Sequence, residues 1–176
     1  MYDVVIIGGG PGGYAAALYA NNFGLSVALV EKERVGGTCL IRGCIPAKTW
    51  LQAADVFHTV AHAADFGVHA SAPSFNWSEG FARKNQVVDQ LVNGLSGLLK
   101  HRKVDVIDGY GRVAGPGKVV VETDGGSQEL EASNIIVATG SVPRSIPGYD
   151  FDGDRILSSD HALDWSEDPG RVAIIG

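Results

Sequence analysis

Tyr2-Asp3-Val4-Val5-Ile6-Ile7-Gly8-Gly9-Gly10-Pro11-Gly12-Gly13 decides the fold of this 176-residue chain. The β-branched run suits a strand buried on both faces, as in a parallel sheet. It stops on glycine, with Gly8, Gly10 and Gly13 in the G-x-G-x-x-G register. The pattern predicts a small-residue helix from Tyr14 to about Phe23, ended by Gly24. A second strand, Ser26-Val27-Ala28-Leu29-Val30, completes a βαβ unit, and Glu31 stands at its end, 18 positions after the last glycine. Gly8 makes the tight turn, Gly10 lets the backbone approach a pyrophosphate, and Gly13 lets the helix pack on the strand. The helix N-terminus offers N–H groups and positive potential to phosphate. Glu31 can accept hydrogen bonds from a ribose hydroxyl. A carboxylate there disfavours a 2′-phosphate, so the ligand expected is FAD or NAD rather than NADP. A glycine-rich turn in another α/β fold is the competing reading.

Eight residues beyond Glu31 comes the first of the only two cysteines, in Gly36-Gly37-Thr38-Cys39-Leu40-Ile41-Arg42-Gly43-Cys44-Ile45-Pro46-Ala47-Lys48. In a regular helix, residues five apart are about 8.6 Å apart at Cα, whereas a disulfide needs roughly 4.4–6.8 Å. The pair therefore cannot close within an undistorted helix, and Gly43 is the residue best able to let the backbone tighten. Pro46 fits the first turn of a helix, which sets a helix start near Cys44. Helix-terminal N–H groups favour the anionic form of Cys44. A structural disulfide, two unrelated cysteines and a loosely spaced zinc site compete with a redox-active pair, and no second Cys/His pair supports the zinc. Ligands of parallel sheets bind outside the carboxyl ends of the strands, which places the cysteines on the ligand side. A nicotinamide has no evident use for a disulfide there. A flavin does, because it passes electron pairs to a dithiol. Lys48, at i+4 from Cys44, shares its face and could reach whatever Cys44 faces.

Composition narrows the partners. A formal net charge of -6 points away from nucleic acid and anionic membrane surfaces. No leader peptide and no span-length apolar run is visible, so a cytoplasmic protein is expected. A disulfide in that compartment is more often catalytic than structural.

Beyond Pro46 the apolar spacing is helical to Ala64. Asn76 and Glu79 read as the capped start of a long helix to about Arg102. His58 and His62, at i,i+4, read as surface polar groups rather than metal ligands. From Lys103 the period becomes β, with strands over 104–107, 109–113 and 118–121. A hairpin turn follows at Thr123-Asp124-Gly125-Gly126, and the chain returns over 128–131. Asn134-Ile135-Ile136-Val137-Ala138 reads as a separate buried strand, running into Thr139-Gly140-Ser141. Pro143, Pro147 and Gly148 mark a connecting segment. Arg171-Val172-Ala173-Ile174-Ile175-Gly176 repeats the opening pattern and reads as the first strand of a second dinucleotide fold. The expected architecture is α/β: a Rossmann-like domain with a parallel central sheet and a small antiparallel β-meander over 1–147. Residues 148–176 are then a linker and the start of a truncated nicotinamide-binding domain.

Gly8 to Gly13, Glu31, the stretch from Gly36 to Lys48, and Ala138-Thr139-Gly140-Ser141 together resemble the FAD domain of the pyridine-nucleotide disulfide oxidoreductases. The resemblance covers the whole chain. Within that family, Cys-Leu-x-Arg-Gly-Cys-Ile-Pro-x-Lys is similar to the dihydrolipoamide dehydrogenase branch. Glutathione and mercuric reductases, the alternative, more often show Cys-Val-Asn-Val-Gly-Cys. A non-catalytic FAD-binding fragment with an inert cysteine pair is the remaining alternative. The resemblance implies that Cys44 is the thiolate beside the flavin and Cys39 the thiol that exchanges with substrate. It implies FAD contacts at Gly8, Gly10, Gly12, Gly13, Glu31 and Lys32. Further contacts are implied at Gly37, Thr38, Cys39 and Lys48, at Gly111 on the adenine side, and along Thr139, Gly140 and Ser141. It implies no metal, a lipoyl-type dithiol substrate, NAD as acceptor at a site beyond this sequence, a homodimer, and service to a 2-oxoacid dehydrogenase complex. The second glycine fingerprint, a later Gly-Asp segment and a dimerisation domain are absent from the sequence, so the chain is expected to be an incomplete fragment.

Overall fold

The computed structural model describes residues 1–175. They fall into two compact units: Met1–Ile41 with Gln90–Val142, and Arg42–Asp89 with Pro143 onward.

In the first unit β1 (Tyr2–Ile7) is the central strand, flanked in parallel by β2 (Val27–Glu31) and by the end of β6 (Gly126–Val137). Beyond β2 lies β3 (Asp105–Asp108), also parallel. β4 (Tyr110–Gly115) and β5 (Lys118–Thr123) continue the sheet antiparallel, giving the order β3-β2-β1-β6-β5-β4. The helix α1 (Pro11–Asn22) connects β1 to β2.

The continuous apolar runs of β1 and β2 are explained by what lies on each face. Side chains alternate along a strand. Val4, Ile6, Val27 and Leu29 pack with Ala17 of α1 and with Leu95 and Leu99. Val5, Ile7, Ala28 and Val30 pack with Val119, Val121 and Leu130 of the meander. Helix thus covers one face and β-meander the other, and each fully buried side chain contributes roughly 1.5–3 kcal/mol.

β6 differs from expectation. The predicted returning strand over 128–131 and the buried strand over 134–138 are one continuous 12-residue strand. Its first half pairs antiparallel with β5 up to Lys118↔Glu131, and its second half pairs parallel with β1 from Tyr2↔Ala132. Propensity signals a break at Ala132-Ser133, but the ladder partners change there without the strand ending.

The second unit contains α3 (Cys44–Ala61), the first part of α4 (Trp77–His101) and α5 (Ser159–Leu163); the short helix α2 (Gly37–Ile41) belongs to the first unit. Asn76 caps α4 as expected, its Oδ1 accepting the Glu79 N–H at 3.2 Å. The rings of Trp50, Phe75 and Trp77 cluster with centroids 5.3–6.3 Å apart. The strand expected over 171–175 is not formed: the segment lacks strand structure and Ile174 is 88% exposed. Its β-branched residues have no ladder partner among the described residues. Gly176, expected as the first glycine of a second fingerprint, lies outside the described residues.

The starts of β1 and β2 are tied by a closed polar loop. The Ser26 hydroxyl and N–H both donate to Asp3 Oδ2, at 2.7 and 2.8 Å, and the Asp3 N–H donates to Ser26 Oγ at 2.9 Å. These bonds, the hydroxyl foremost, hold the Asp3 carboxyl below its usual range. A depressed folded value means stability present above the unfolded value of about 3.9 and lost as pH falls through the folded value. Ser26→Ala is expected to raise the Asp3 titration midpoint, read by NMR. The stability gap between wild type and variant, measured by denaturant unfolding, is expected to be present at pH 6 and to shrink toward pH 3.

Candidate functional site

In the first unit the expected residues converge at the carboxyl ends of β1, β2 and β6. Gly8 N–H donates to Val30 O and Ala138 N–H to Ile7 O, both at 2.8 Å, so three strand ends are laced together. Gly8 has φ +106°, and a β-carbon on it would sit 2.2 Å from the Ala138 carbonyl oxygen. A β-carbon on Gly13 would lie 1.7 Å from the Gly8 carbonyl oxygen. These two positions are glycine because the protein's own backbone occupies the space.

Gly10 and Gly12 differ. A β-carbon on either meets nothing closer than 3.7 Å. Gly10 is the N-cap of α1 and makes no side-chain cap hydrogen bond, and Pro11 follows within the first turn. The first helical bond is Tyr14 N–H to Gly10 O at 2.9 Å, so the N–H groups ahead of it have no partner within the helix. Room without side chains, beside donors at a helix N-terminus, fits a pyrophosphate.

Glu31 is held more firmly than its sequence position indicates. Its Oε2 accepts the Gly9 N–H at 2.7 Å and its Oε1 accepts the Glu33 N–H at 2.9 Å. Each oxygen keeps a further lone pair for a ribose hydroxyl. Gly9, absent from the expected set, is thus a positioning residue for Glu31. Its β-carbon would crowd the Glu31 side chain at 3.1 Å. Gly36 is a second omission: its N–H donates to Gly9 O at 2.8 Å. Next to it, a β-carbon on Gly37 would lie 2.5 Å from the Gly10 Cα. The signal for Gly36 was the Gly36-Gly37 pair itself, which the cysteines beside it overshadowed.

Thr38 and Cys39 lie on α2, Thr38 exposed and Cys39 half-buried. Lys32, Thr139, Gly140 and Ser141 are exposed in the loops that leave β2 and β6. Gly111 has a packing reason of its own, since a β-carbon there would come within 3.1 Å of Val30 and Ile7 side chains.

In the second unit Cys44 is the first residue of the 18-residue helix α3 and carries a free, exposed thiol. The expected helix start is observed: α2 ends at Ile41, Gly43 is the N-cap of α3, and Ala47 N–H donates to Gly43 O at 2.9 Å. Lys48 is exposed one turn further on. It borders a groove of 550 Å³ lined also by Val56, Phe57, Val60, Phe75 and Arg83. Among the described residues no group of three or more His, Cys, Asp or Glu side chains could hold a metal ion. No helix among them is long and apolar enough to cross a membrane.

Residues 2–176 match the family described as pyridine nucleotide-disulphide oxidoreductase. The chain is 46% identical to a dihydrolipoyl dehydrogenase of Bacillus subtilis, over 99% of this chain and 39% of that protein. It is 44% identical to one of Acholeplasma laidlawii, over 99% of this chain and 52% of that protein. The crystal structure of LpdA from Mycobacterium tuberculosis superposes with a TM-score of 0.84 at 28% identity, over 93% of this chain and 37% of that one. This chain therefore spans about two fifths to one half of the relatives it matches. It belongs to the pyridine nucleotide-disulphide oxidoreductase family.

The glycine geometry separates folding from binding. Gly13→Ala is expected to cost more than about 3 kcal/mol of stability, because backbone must move. Gly10→Ala is expected to stay within about 1 kcal/mol of wild type while weakening FAD binding at least about tenfold. Thermal melting and calorimetric titration of the two variants check this.

Proposed function

We propose that this chain supplies the FAD-binding and disulfide-exchanging part of a dihydrolipoyl dehydrogenase. The observation that carries the reading is Cys44, an exposed thiol at the N-terminus of α3, five residues from Cys39 in a chain whose glycine loops leave room for a dinucleotide. On this reading Gly8, Gly10, Gly12 and Gly13 border the pyrophosphate, and Glu31 takes a ribose hydroxyl. Lys32, Gly37, Thr38, Gly111 and Thr139 to Ser141 line the rest of the cofactor, and Lys48 stands beside its reactive ring. Residues 1–147 form the FAD domain, and 148–176 lead toward a nicotinamide-binding domain that takes NAD. Bound FAD supplies a two-electron carrier between the dithiol and the nicotinamide.

The chain's own part is thiol–disulfide exchange. A thiolate of the dihydrolipoyl substrate attacks the Cys39 sulfur of the oxidised pair. The Cys39–Cys44 bond breaks, a substrate–Cys39 disulfide forms, and Cys44 leaves as thiolate. The second substrate thiol, losing its proton, attacks the substrate sulfur of that mixed disulfide. The cyclic lipoyl disulfide forms, and Cys39 departs and takes up a proton. The substrate is oxidised by two electrons and the pair reduced by two.

We assign the whole protein to the cytoplasm as a homodimer serving a 2-oxoacid dehydrogenase complex. The apolar stripe of α3 supports the dimer: Val56 and Phe57 are 55% and 40% exposed, and Val60 lies on the same face. A surface of that kind is a usual mark of a contact with another chain.

The test is absorption spectroscopy of the FAD-loaded whole protein under anaerobic conditions. Two electron equivalents of dithiol are expected to bring up a long-wavelength shoulder, and Cys44→Ser is expected to keep the flavin and lose the shoulder. Dihydrolipoamide oxidation by NAD is expected to fall by more than about a thousandfold in Cys44→Ser and in Cys39→Ser. Retained turnover in either variant would sink the exchange roles. Turnover of glutathione disulfide or mercuric ion in preference to the lipoyl substrate would overturn the substrate.

A further inference from the structure

The short helix α5 is clasped at both ends within the second unit. At its C-terminal end the Trp50 indole N–H of α3 donates to Leu163 O at 3.2 Å. Lys84 of α4, only 4% exposed, donates to Asp164 Oδ1 at 2.9 Å. At its N-terminal end Ser158, also buried, and His161 form a reciprocal capping box. The Ser158 side chain accepts the His161 N–H, and the Ser158 N–H donates to His161 Nδ1 at 3.1 Å.

Capping boxes normally place Glu or Gln at this third helical position. A histidine there ties the cap to a proton. A backbone N–H only donates, so His161 Nδ1 must be the bare, accepting nitrogen, and the ring hydrogen sits on Nε2. Ser158 Oγ lies 2.8 Å from the same Nδ1, and with Nδ1 bare its hydroxyl shares that one lone pair with the Ser158 N–H. Protonation puts a hydrogen on Nδ1 in place of the lone pair that accepts the Ser158 N–H. The protonated ring can still donate to Ser158 Oγ, but the Ser158 N–H then has lost its acceptor. A donor stripped of its partner in a buried position is unfavourable.

We propose that His161 makes the α5 clasp pH-sensitive: the neutral ring closes the cap, and protonation opens it and loosens α5 from Trp50 and Lys84. The elements packed against the ring are the loop carrying Phe151, whose ring centroid is 6.4 Å away, and Gly153. The charged groups on that loop and on the helix are Asp150, Asp152, Asp154, Arg155, Asp160 and Asp164, and Asp150 accepts the Ser145 hydroxyl at 3.0 Å. Asp152 is engaged by the N–H groups of Asp154, Arg155 and Ile156, and Asp164 by Lys84. The sign follows from the acceptor role. The bonds belong to the neutral ring, so the clasp is closed at high pH and opens as pH falls. This device stands independently of the redox reading.

Hydrogen exchange on the whole protein, corrected for intrinsic rate, tests it. Amides 161–164 are expected to lose about fivefold in protection between pH 8 and pH 5.5, the size of a lost helix cap. His161→Gln supplies the acceptor usual at the third helical position of a capping box, without a titrating ring. It is expected to hold wild-type protection at pH 8 and to change less than twofold by pH 5.5. His161→Ala is expected to show the open state at both pH values. Wild-type protection that does not change with pH overturns the proposal, and so does a His161→Gln variant that loses protection as wild type does.

Discussion

The Gly8 carbonyl oxygen lies where a β-carbon on residue 13 would be. That contact brings α1 onto the strand it follows, and much of the first unit depends on it. It fixes where the helix N-terminus points. It also leaves the Gly8–Gly10 turn flat against the ends of β2 and β6, where Gly8 N–H meets Val30 O and Ala138 N–H meets Ile7 O. The turn is then close enough for Gly9 to bond the Glu31 carboxylate and for Gly36 to bond Gly9. The Glu31 carboxylate on β2, the glycine turn after β1 and the glycine pair leading into α2 are thereby one hydrogen-bonded piece of structure. Its precision comes from missing side chains more than from added ones.

Two kinds of glycine serve this arrangement, and they answer different demands. At Gly8, Gly13 and Gly37 the neighbouring protein excludes a side chain. At Gly10 and Gly12 the protein leaves space open beside donors that the helix does not use. Folding alone would tolerate a small side chain at the second kind. At those two positions packing supplies no reason for glycine. Gly111 shows the converse, since Val30 and Ile7 already forbid a side chain there.

The sequence made legible what is local. The βαβ opening, the cap at Asn76, the hairpin at Thr123 and the helix start at Cys44 each rest on a few neighbouring residues, and each is observed. Gly9 and Gly36 escaped because their importance lies in bonds to residues 22 and 27 positions away, which no spacing rule encodes. β6 escaped for a related reason. Its change of partner from β5 to β1 falls between Glu131 and Ala132, and a strand that trades neighbours looks like two strands when only propensity is read.

The sharpest contrast is between two runs of the same pattern. Val4 to Ile7 and Val172 to Ile175 are both apolar and mostly β-branched, and both lead into glycine. The first is hydrogen-bonded on either side and covered on both faces, so that none of its four residues is more than 6% exposed. The second is without strand structure and leaves Ile175 67% exposed. Burial and hydrogen bonding are properties of a strand with its neighbours, and the entropy of ordering each residue must be offset by them. A β-branched run therefore states a demand for partners rather than a structure. Where ladder and cover are present, as around β1, the demand is met and the run is buried; residues 172–175 have neither among the described residues and are exposed.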